Sequence, residues 1–288
     1  MSDIFASSPN SQHAPIGIFD SGLGGLTVLR QLYQQLPQES IVYFGDTARL
    51  PYGTRSPAEI IQFMREILTW MTQQPVKMVV MACNTSSALA LDTVQAEFAV
   101  PILGLILPGA KAAVQHGKRI GVIATPATVA SNAYKSAILE IDPSVQVWQV
   151  ACREFVPLIE QNRIHDPYTK QVAQQYLAPL LQQQIDTLVY GCTHYPHLAP
   201  VLRSLLPDSV KLIDPAQYIV AAAAEELELL GLKTQQPPKP TRFCVTGSPD
   251  QFAQSSQQWL GYTPNVEGVC VAIEESALKS QNSPQKSG

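Results

Sequence analysis

Two short phrases, Val79-Val80-Met81-Ala82-Cys83-Asn84-Thr85 and Leu188-Val189-Tyr190-Gly191-Cys192-Thr193-His194, each run an apolar segment into a small residue, a cysteine and hydrogen-bonding side chains. A continuous apolar run of this length reads as a strand buried on both faces, the kind that belongs to a parallel sheet. The residue just past such a strand lies at the carboxyl edge of the sheet, where open α/β folds bind their ligands. Two copies therefore predict two thiols facing each other across one cleft.

The rest of the chain carries the same rhythm. Short β-rich segments at residues 16–19, 41–44, 76–81, 102–105, 119–124, 145–150, 187–190 and 211–213 alternate with stretches of helical period at 26–35, 57–73, 89–98, 109–116, 131–140, 155–161, 168–182, 199–206 and 217–230. Such a βαβα pattern predicts parallel sheets covered by helices. It also restarts: Gly17-Ile18-Phe19-Asp20-Ser21 opens a series that reaches Cys83, and Gly121-Val122-Ile123-Ala124-Thr125 opens another of similar length that reaches Cys192. The expected fold is α/β, with two pseudo-twofold-related parallel-sheet domains and the site in the cleft between them; a single continuous sheet would defeat it. Residues 1–105 with 217–288 should form the first domain, the C-terminal segment returning to it, and residues 106–216 the second. Proline and glutamine collect at 234–240, a linker composition, before one further strand at 242–246 and a polar tail from Ser276 that is expected to be disordered.

Composition narrows the function. A net charge of −4 with Lys and Arg unclustered supplies no footprint for nucleic acid or an anionic membrane, so a small ligand is expected. Residues 1–15 have neither a basic start nor an apolar core, which argues against a secretory signal. The longest apolar run, residues 99–110, contains Pro101 and Pro108 and is too short to span a bilayer. Five widely spaced cysteines argue against a disulfide framework and for a reducing compartment, by default the cytoplasm.

Several residues are candidates for chemistry. Cys83 is followed by Asn84, Thr85, Ser86 and Ser87, polar groups at a strand end and a helix start, where a thiolate and an anionic ligand are both favoured. The competing reading is a small buried hydrophobe. Cys192 has His194 two residues on, an imidazole able to lower a thiol's pKa or exchange a proton with it. A metal is the rival there, since Cys-Thr-His-Tyr-Pro-His offers ligand types at close spacing, but no CxxC or HxxxH supplies a second pair. His197 by itself reads as a surface residue.

Asp20 ends the first strand ahead of Ser21-Gly22-Leu23-Gly24-Gly25, and is solvated, caps a helix or is functional. Glycines there let the backbone approach a ligand, although the G-x-G-x-x-G spacing is missing. Asp46-Thr47-Ala48-Arg49-Leu50-Pro51-Tyr52-Gly53 is a turn-rich loop, readable as a connector with a tyrosine lid. From spacing alone, Glu160 behind the apolar residues 155–159 reads as an exposed helix residue.

In ordered combination, the phrases at 16–26, 46–53, 82–88 and 191–196 resemble the glutamate racemases of the cofactor-independent aspartate/glutamate racemase superfamily, over residues 15–232. The resemblance implies glutamate bound between two α/β domains and a two-base racemisation with no cofactor and no metal. By that likeness Cys83 acts on the D isomer beside Asp20, and Cys192 on the L isomer beside His194 and Glu160. Ser21, Asn84, Thr85 and Thr193, with Asp20 and His194, would contact the amino acid's polar groups, and Tyr52 and Gly53 would offer backbone amides to a carboxylate. It further implies a homodimer supplying D-glutamate for peptidoglycan. Two positions depart from the family pattern: Arg153-Glu154, where a proline and an apolar or basic residue are common, and His197, at a usually apolar site. An aspartate racemase would share both cysteines. A thiol hydrolase with Cys192 as nucleophile and His194 as base leaves Cys83 idle, and a non-catalytic two-lobed binding protein needs neither thiol.

Overall fold

The computed structural model describes residues 11–271, so the tail from Ser276 lies outside the described residues. A first series comprises β1 (Ile16–Asp20), α1 (Leu26–Gln35), β2 (Ile41–Gly45), α2 (Pro57–Gln73), β3 (Met78–Met81), α3 (Asn84–Leu89), α4 (Leu91–Val94) and β4 (Ile102–Gly104). A second follows as α5 (Ile106–His116), β5 (Arg119–Ala124), α6 (Pro126–Ser131), α7 (Ala133–Ile141), β6 (Gln146–Ala151), α8 (Phe155–Glu160), α9 (Pro167–Gln182), β7 (Thr187–Gly191), α10 (Ala199–Arg203) and β8 (Lys211–Ile213). The chain then runs through α11 (Pro215–Leu229), β9 (Arg242–Val245), α12 (Pro249–Leu260) and β10 (Val266–Gly268).

The strands form two separate sheets, in the orders β10-β9-β2-β1-β3-β4 and β6-β5-β7-β8. Every ladder is parallel. The quartets β2-β1-β3-β4 and β6-β5-β7-β8 share one chain order, which is the repeat that the sequence rhythm predicts. Cys83 and Cys192 follow the equivalent strands β3 and β7, and Ser21 and Thr125 follow the equivalent strands β1 and β5. Strand β9 pairs with β2, from Val42↔Arg242 to Gly45↔Val245, so the C-terminal segment returns to the first sheet.

Local physics accounts for these elements. β1, β2, β3 and β7 are buried along their whole length, as central strands covered on both faces must be. On α2, Ser56 and Glu59 form a reciprocal capping box ahead of Pro57, and Ile60, Met64, Ile67, Leu68 and Met71 make the buried stripe. Each such side chain contributes about 1.5–3 kcal/mol on burial.

Three stretches differ from the expectation. The helix expected over 89–98 is two short helices, α3 and α4, broken at Ala90 (φ −125°, ψ −24°). The first of them starts in the polar run, because Ser87 turns inward, donating to Met81 O at 3.2 Å and accepting from Leu105 N at 3.2 Å. The helix expected over 131–140 is preceded by α6 and separated from it by Asn132 at φ 56°, a left-handed conformation that asparagine tolerates. Finally, α12 and β10 were not expected. The signals for α12 are nonetheless present: Ser248 caps it, Pro249 follows, and Gly261 closes it in the left-handed region. Its Gln- and Ser-rich face conceals a narrow stripe of Phe252, Ser256 and Trp259.

Candidate active site

The carboxyl edges of the two sheets meet around a cavity of about 390 Å³. Asp20, Ser21, Tyr52, Gly53, Cys83, Asn84, Thr85, Glu160, Cys192, Thr193 and His194 all line it. Every residue that the resemblance assigns to the reaction or to substrate contact therefore comes to one place. Strand ends put them there: β1 delivers Asp20, β3 Cys83 and β7 Cys192.

On the first side, Cys83 is buried and its Sγ lies 4.0 Å from Ser21 Oγ. Burial, reinforced by the Asp20 charge, pushes the thiol up to about 12, against hydrogen bonds from Ser86. Asp20 is completely buried and its Oδ2 accepts from Gly22 N at 2.8 Å, while Oδ1 has no hydrogen-bond partner among the described residues. Burial also raises this carboxyl above its usual range, opposed by the His194 charge and by backbone amides of Gly25, Gly22 and Ser21. Burial therefore shifts both groups toward their protonated forms.

The second side is wired differently. Cys192 Sγ lies 3.7 Å from His194 Nδ1, and His194 Nε2 lies 3.1 Å from Glu160 Oε1. Burial disfavours an imidazolium, yet the contacts to Cys192 and Glu160 outweigh it and hold His194 well above its ordinary pKa. Glu160 is 30% exposed, half-buried at the end of α8, because its carboxylate turns back to the imidazole. This corrects the exposed-helix reading of spacing alone.

Hydroxyls and amides complete the lining. Thr85 Oγ1 is 2.9 Å from Thr125 Oγ1 and 3.3 Å from Thr128 Oγ1, a cluster that crosses from one lobe to the other. Tyr134 donates to Asn84 Oδ1 at 2.6 Å, and the buried Asn84 Nδ2 has no hydrogen-bond partner among the described residues. Gly24 is obligatory, since a Cβ there would stand 2.5 Å from both His194 Nδ1 and Thr193 Oγ1. Similarly, a Cβ on Gly53 would meet Thr125 Cβ at 2.8 Å.

Two further expectations need correction. Tyr52 is not a lid: it is buried, its ring tilted against Phe19 at 6.1 Å and Phe63 at 5.6 Å between centroids, with its hydroxyl on Asp46. Nor is His197 a surface residue. Its ring lies 3.5 Å, centroid to centroid, from Trp259 of α12, and burial together with the His194 and Arg30 charges pulls its pKa down to about 3. Trp259 also meets His194 edge-on at 6.2 Å. Among the described residues, no three His, Cys, Asp or Glu side chains are grouped to hold a metal.

A model of the family described as Asp/Glu/hydantoin racemase matches residues 16–223, well over half of the chain. The chain belongs to the Asp/Glu/hydantoin racemase family. Within this racemase family, the glutamate racemase of Nostoc sp. is 72% identical over 263 residues, covering 91% of this chain and 90% of that one. A glutamate racemase isoform from Bacillus anthracis superposes with a TM-score of 0.88 at 38% identity, over 91% of this chain and 100% of that one. The Francisella tularensis glutamate racemase, solved in complex with D-glutamate, gives 0.85 at 37% identity, over 90% and 98%.

Some lining residues carry no sequence-based expectation. Thr125 lines the cavity just past the end of β5, and its equivalence to Ser21 in the repeat was the available signal. Cys152, a third thiol, follows β6, is fully buried and lines the same cavity, with nothing in its surroundings in the sequence to mark it. Arg153 stands out in the sequence only as a departure from the family pattern. Among the described residues it is the one Lys or Arg that lines the cavity.

Proposed function

We propose that this chain is a glutamate racemase that interconverts the two enantiomers by a two-base thiol mechanism. One observation carries the reading: two cysteines from equivalent strands of separate sheets line a single cavity. Inversion at a carbon needs an acid/base group on each face, and a repeat that supplies one thiol from each lobe meets that need. The high identity to glutamate racemases over nearly the whole length supports glutamate rather than aspartate as substrate.

In this reading Cys192, as a thiolate paired with the imidazolium of His194, removes the α-proton of L-glutamate, and the Cys83 thiol protonates the opposite face. Cys83 would act as the base on the D isomer, with Asp20 accepting or returning its proton. The α-carbon is a far weaker acid than a thiol of ordinary pKa about 8.5, so the carbanion must be stabilised through its carboxylate. The unpartnered Asn84 Nδ2, the Thr85 and Thr193 hydroxyls and the Tyr52 and Gly53 amides are donors suited to this, and the free Asp20 Oδ1 is an acceptor suited to the ammonium group. Ser21, beside Cys83, would complete the contacts.

The domain division follows from the same picture, with residues 1–105 and 217–288 in one lobe and 106–216 in the other. The β9–β2 pairing supports it as far as residue 271. Among the described residues no helix is long and apolar enough to cross a membrane. By its likeness to glutamate racemases the chain would work as a cytoplasmic homodimer feeding D-glutamate to peptidoglycan.

Incubation with D- or L-glutamate in deuterium oxide, without added cofactor, tests the proposal. Inversion accompanied by α-deuterium incorporation is expected, and Cys83→Ser and Cys192→Ser should each abolish inversion. Absence of exchange with glutamate would defeat the reading, and full activity in either variant would defeat the two-base assignment.

A further inference from the structure

The family match ends at residue 223, and nothing beyond it enters the reaction described above. The end of β9 nevertheless grips the loop that carries Tyr52 and Gly53. Thr246 Oγ1 donates to Asp46 Oδ1 at 2.7 Å and accepts from Ala48 N at 3.1 Å. Its backbone N–H donates to Gly45 O at 3.1 Å, and the next residue, Gly247, donates from its N–H to Thr47 Oγ1 at 3.0 Å. The other oxygen of the fully buried Asp46 carboxylate accepts from Arg49 Nε at 2.6 Å and from the Tyr52 hydroxyl. Arg49 is itself paired with Glu66 of α2 and lies 4.2 Å over the Phe63 ring. A continuous hydrogen-bonded path thus leads from Thr246 through Asp46 to Tyr52, and Tyr52 and Gly53 form one wall of the cavity.

We propose that Thr246 is a positioning residue for the reaction: acting through Asp46, the C-terminal segment sets the depth of the 46–54 loop, and with it the backbone amides that hold a substrate carboxylate. The inference rests on reading the cavity as the glutamate site. Threonine suits the role because one hydroxyl donates to the carboxylate and accepts from Ala48 N at the same time. Serine can do both and valine neither. Valine would leave a buried carboxylate oxygen and an amide short of partners on the loop that must stay in register, and small displacements at an active site are amplified in rate and binding.

Steady-state kinetics of the full chain with both glutamate enantiomers test this, alongside thermal denaturation. Thr246→Val is expected to raise KM about 5- to 20-fold for both enantiomers while kcat stays within about threefold. Thr246→Ser should return KM to within about twofold of the unaltered chain. A folded Thr246→Val variant with unchanged KM overturns the proposal, as does a Ser variant impaired as severely as the Val variant. Should Thr246→Val fail to fold, Thr47→Val breaks the same grip from the loop side by removing the acceptor for Gly247 N; a raised KM then supports the proposal and an unchanged one overturns it. Absence of glutamate turnover by the unaltered chain overturns the functional reading and this inference together, whereas a normal unaltered chain with indifferent variants overturns this inference alone.

Discussion

Replacing Glu160 with glutamine tests the Cys192 side of the cavity most directly. The carboxylate lies 3.1 Å from His194 Nε2, and the other ring nitrogen is 3.7 Å from Cys192 Sγ. Two unit charges about 4 Å apart interact by about 4 kcal/mol at an effective dielectric constant near 20. Glu160 is 30% exposed, and solvent screening brings its contribution to on the order of 1–2 kcal/mol. Glutamine preserves the size and an acceptor oxygen but not the charge, so the imidazolium that holds the proton loses that support. A fall in kcat of roughly 5- to 30-fold is expected. Enantiomers are equally stable in water, so kcat/KM must fall by the same factor from either side. The affected residue shows instead in the pH profile. His194 is held above its ordinary pKa partly by Glu160, and losing the charge should move the alkaline limb to lower pH. Racemisation followed by circular dichroism from pH 6 to 10 measures both effects. Unchanged kcat with an unmoved alkaline limb would refute any part for Glu160 in the reaction.

Three further outcomes are expected. Gly24→Ala places a methyl group 2.5 Å from His194 Nδ1 and Thr193 Oγ1; it should reduce kcat/KM at least about tenfold while destabilising by roughly 1–3 kcal/mol, and full activity would mean that the two loops part freely. His197 is pulled down to about 3 in the fold, against about 6.5 in an unfolded chain, so it stabilises above pH 6.5 and that stability drains away as pH falls toward 3. Urea denaturation of His197→Phe should therefore show a shallower loss between pH 6.5 and 5 than the unaltered chain, and equal slopes would contradict the burial argument. Among the described residues Arg153 is the one Lys or Arg lining the cavity, so Arg153→Ala should raise KM for glutamate severalfold at low salt, with a gap that closes at about 0.5 M salt as screening grows; a salt-independent KM change would point to shape rather than charge.

What could be read in the sequence was local or periodic. Val79-Val80-Met81 and Leu188-Val189-Tyr190 declare buried parallel strands by their own apolarity, and position after the strand end then places Cys83 and Cys192 at a carboxyl edge whatever the rest of the chain does. The repeat likewise foretold two sheets of one topology. Helix α12 was legible in its cap, proline and closing glycine, but its polar face hid the stripe.

Other features depend on which element lies against which, and no local period encodes that. Glu160 reads as exposed along its own helix; it becomes half-buried only because α8 packs beside the loop after β7, bringing together two residues 34 positions apart. His197 is buried by a tryptophan from a helix near the far end of the chain. Thr246 reaches Asp46 across 200 positions because β9 adds to the edge of β2. The sequence alone determined the two thiols and the sheet edges that present them, since strand burial and strand ends are written in adjacent residues. Only the tertiary structure decided how each thiol is tuned, because charges and hydrogen bonds act through space between segments whose order along the chain says nothing of their distance.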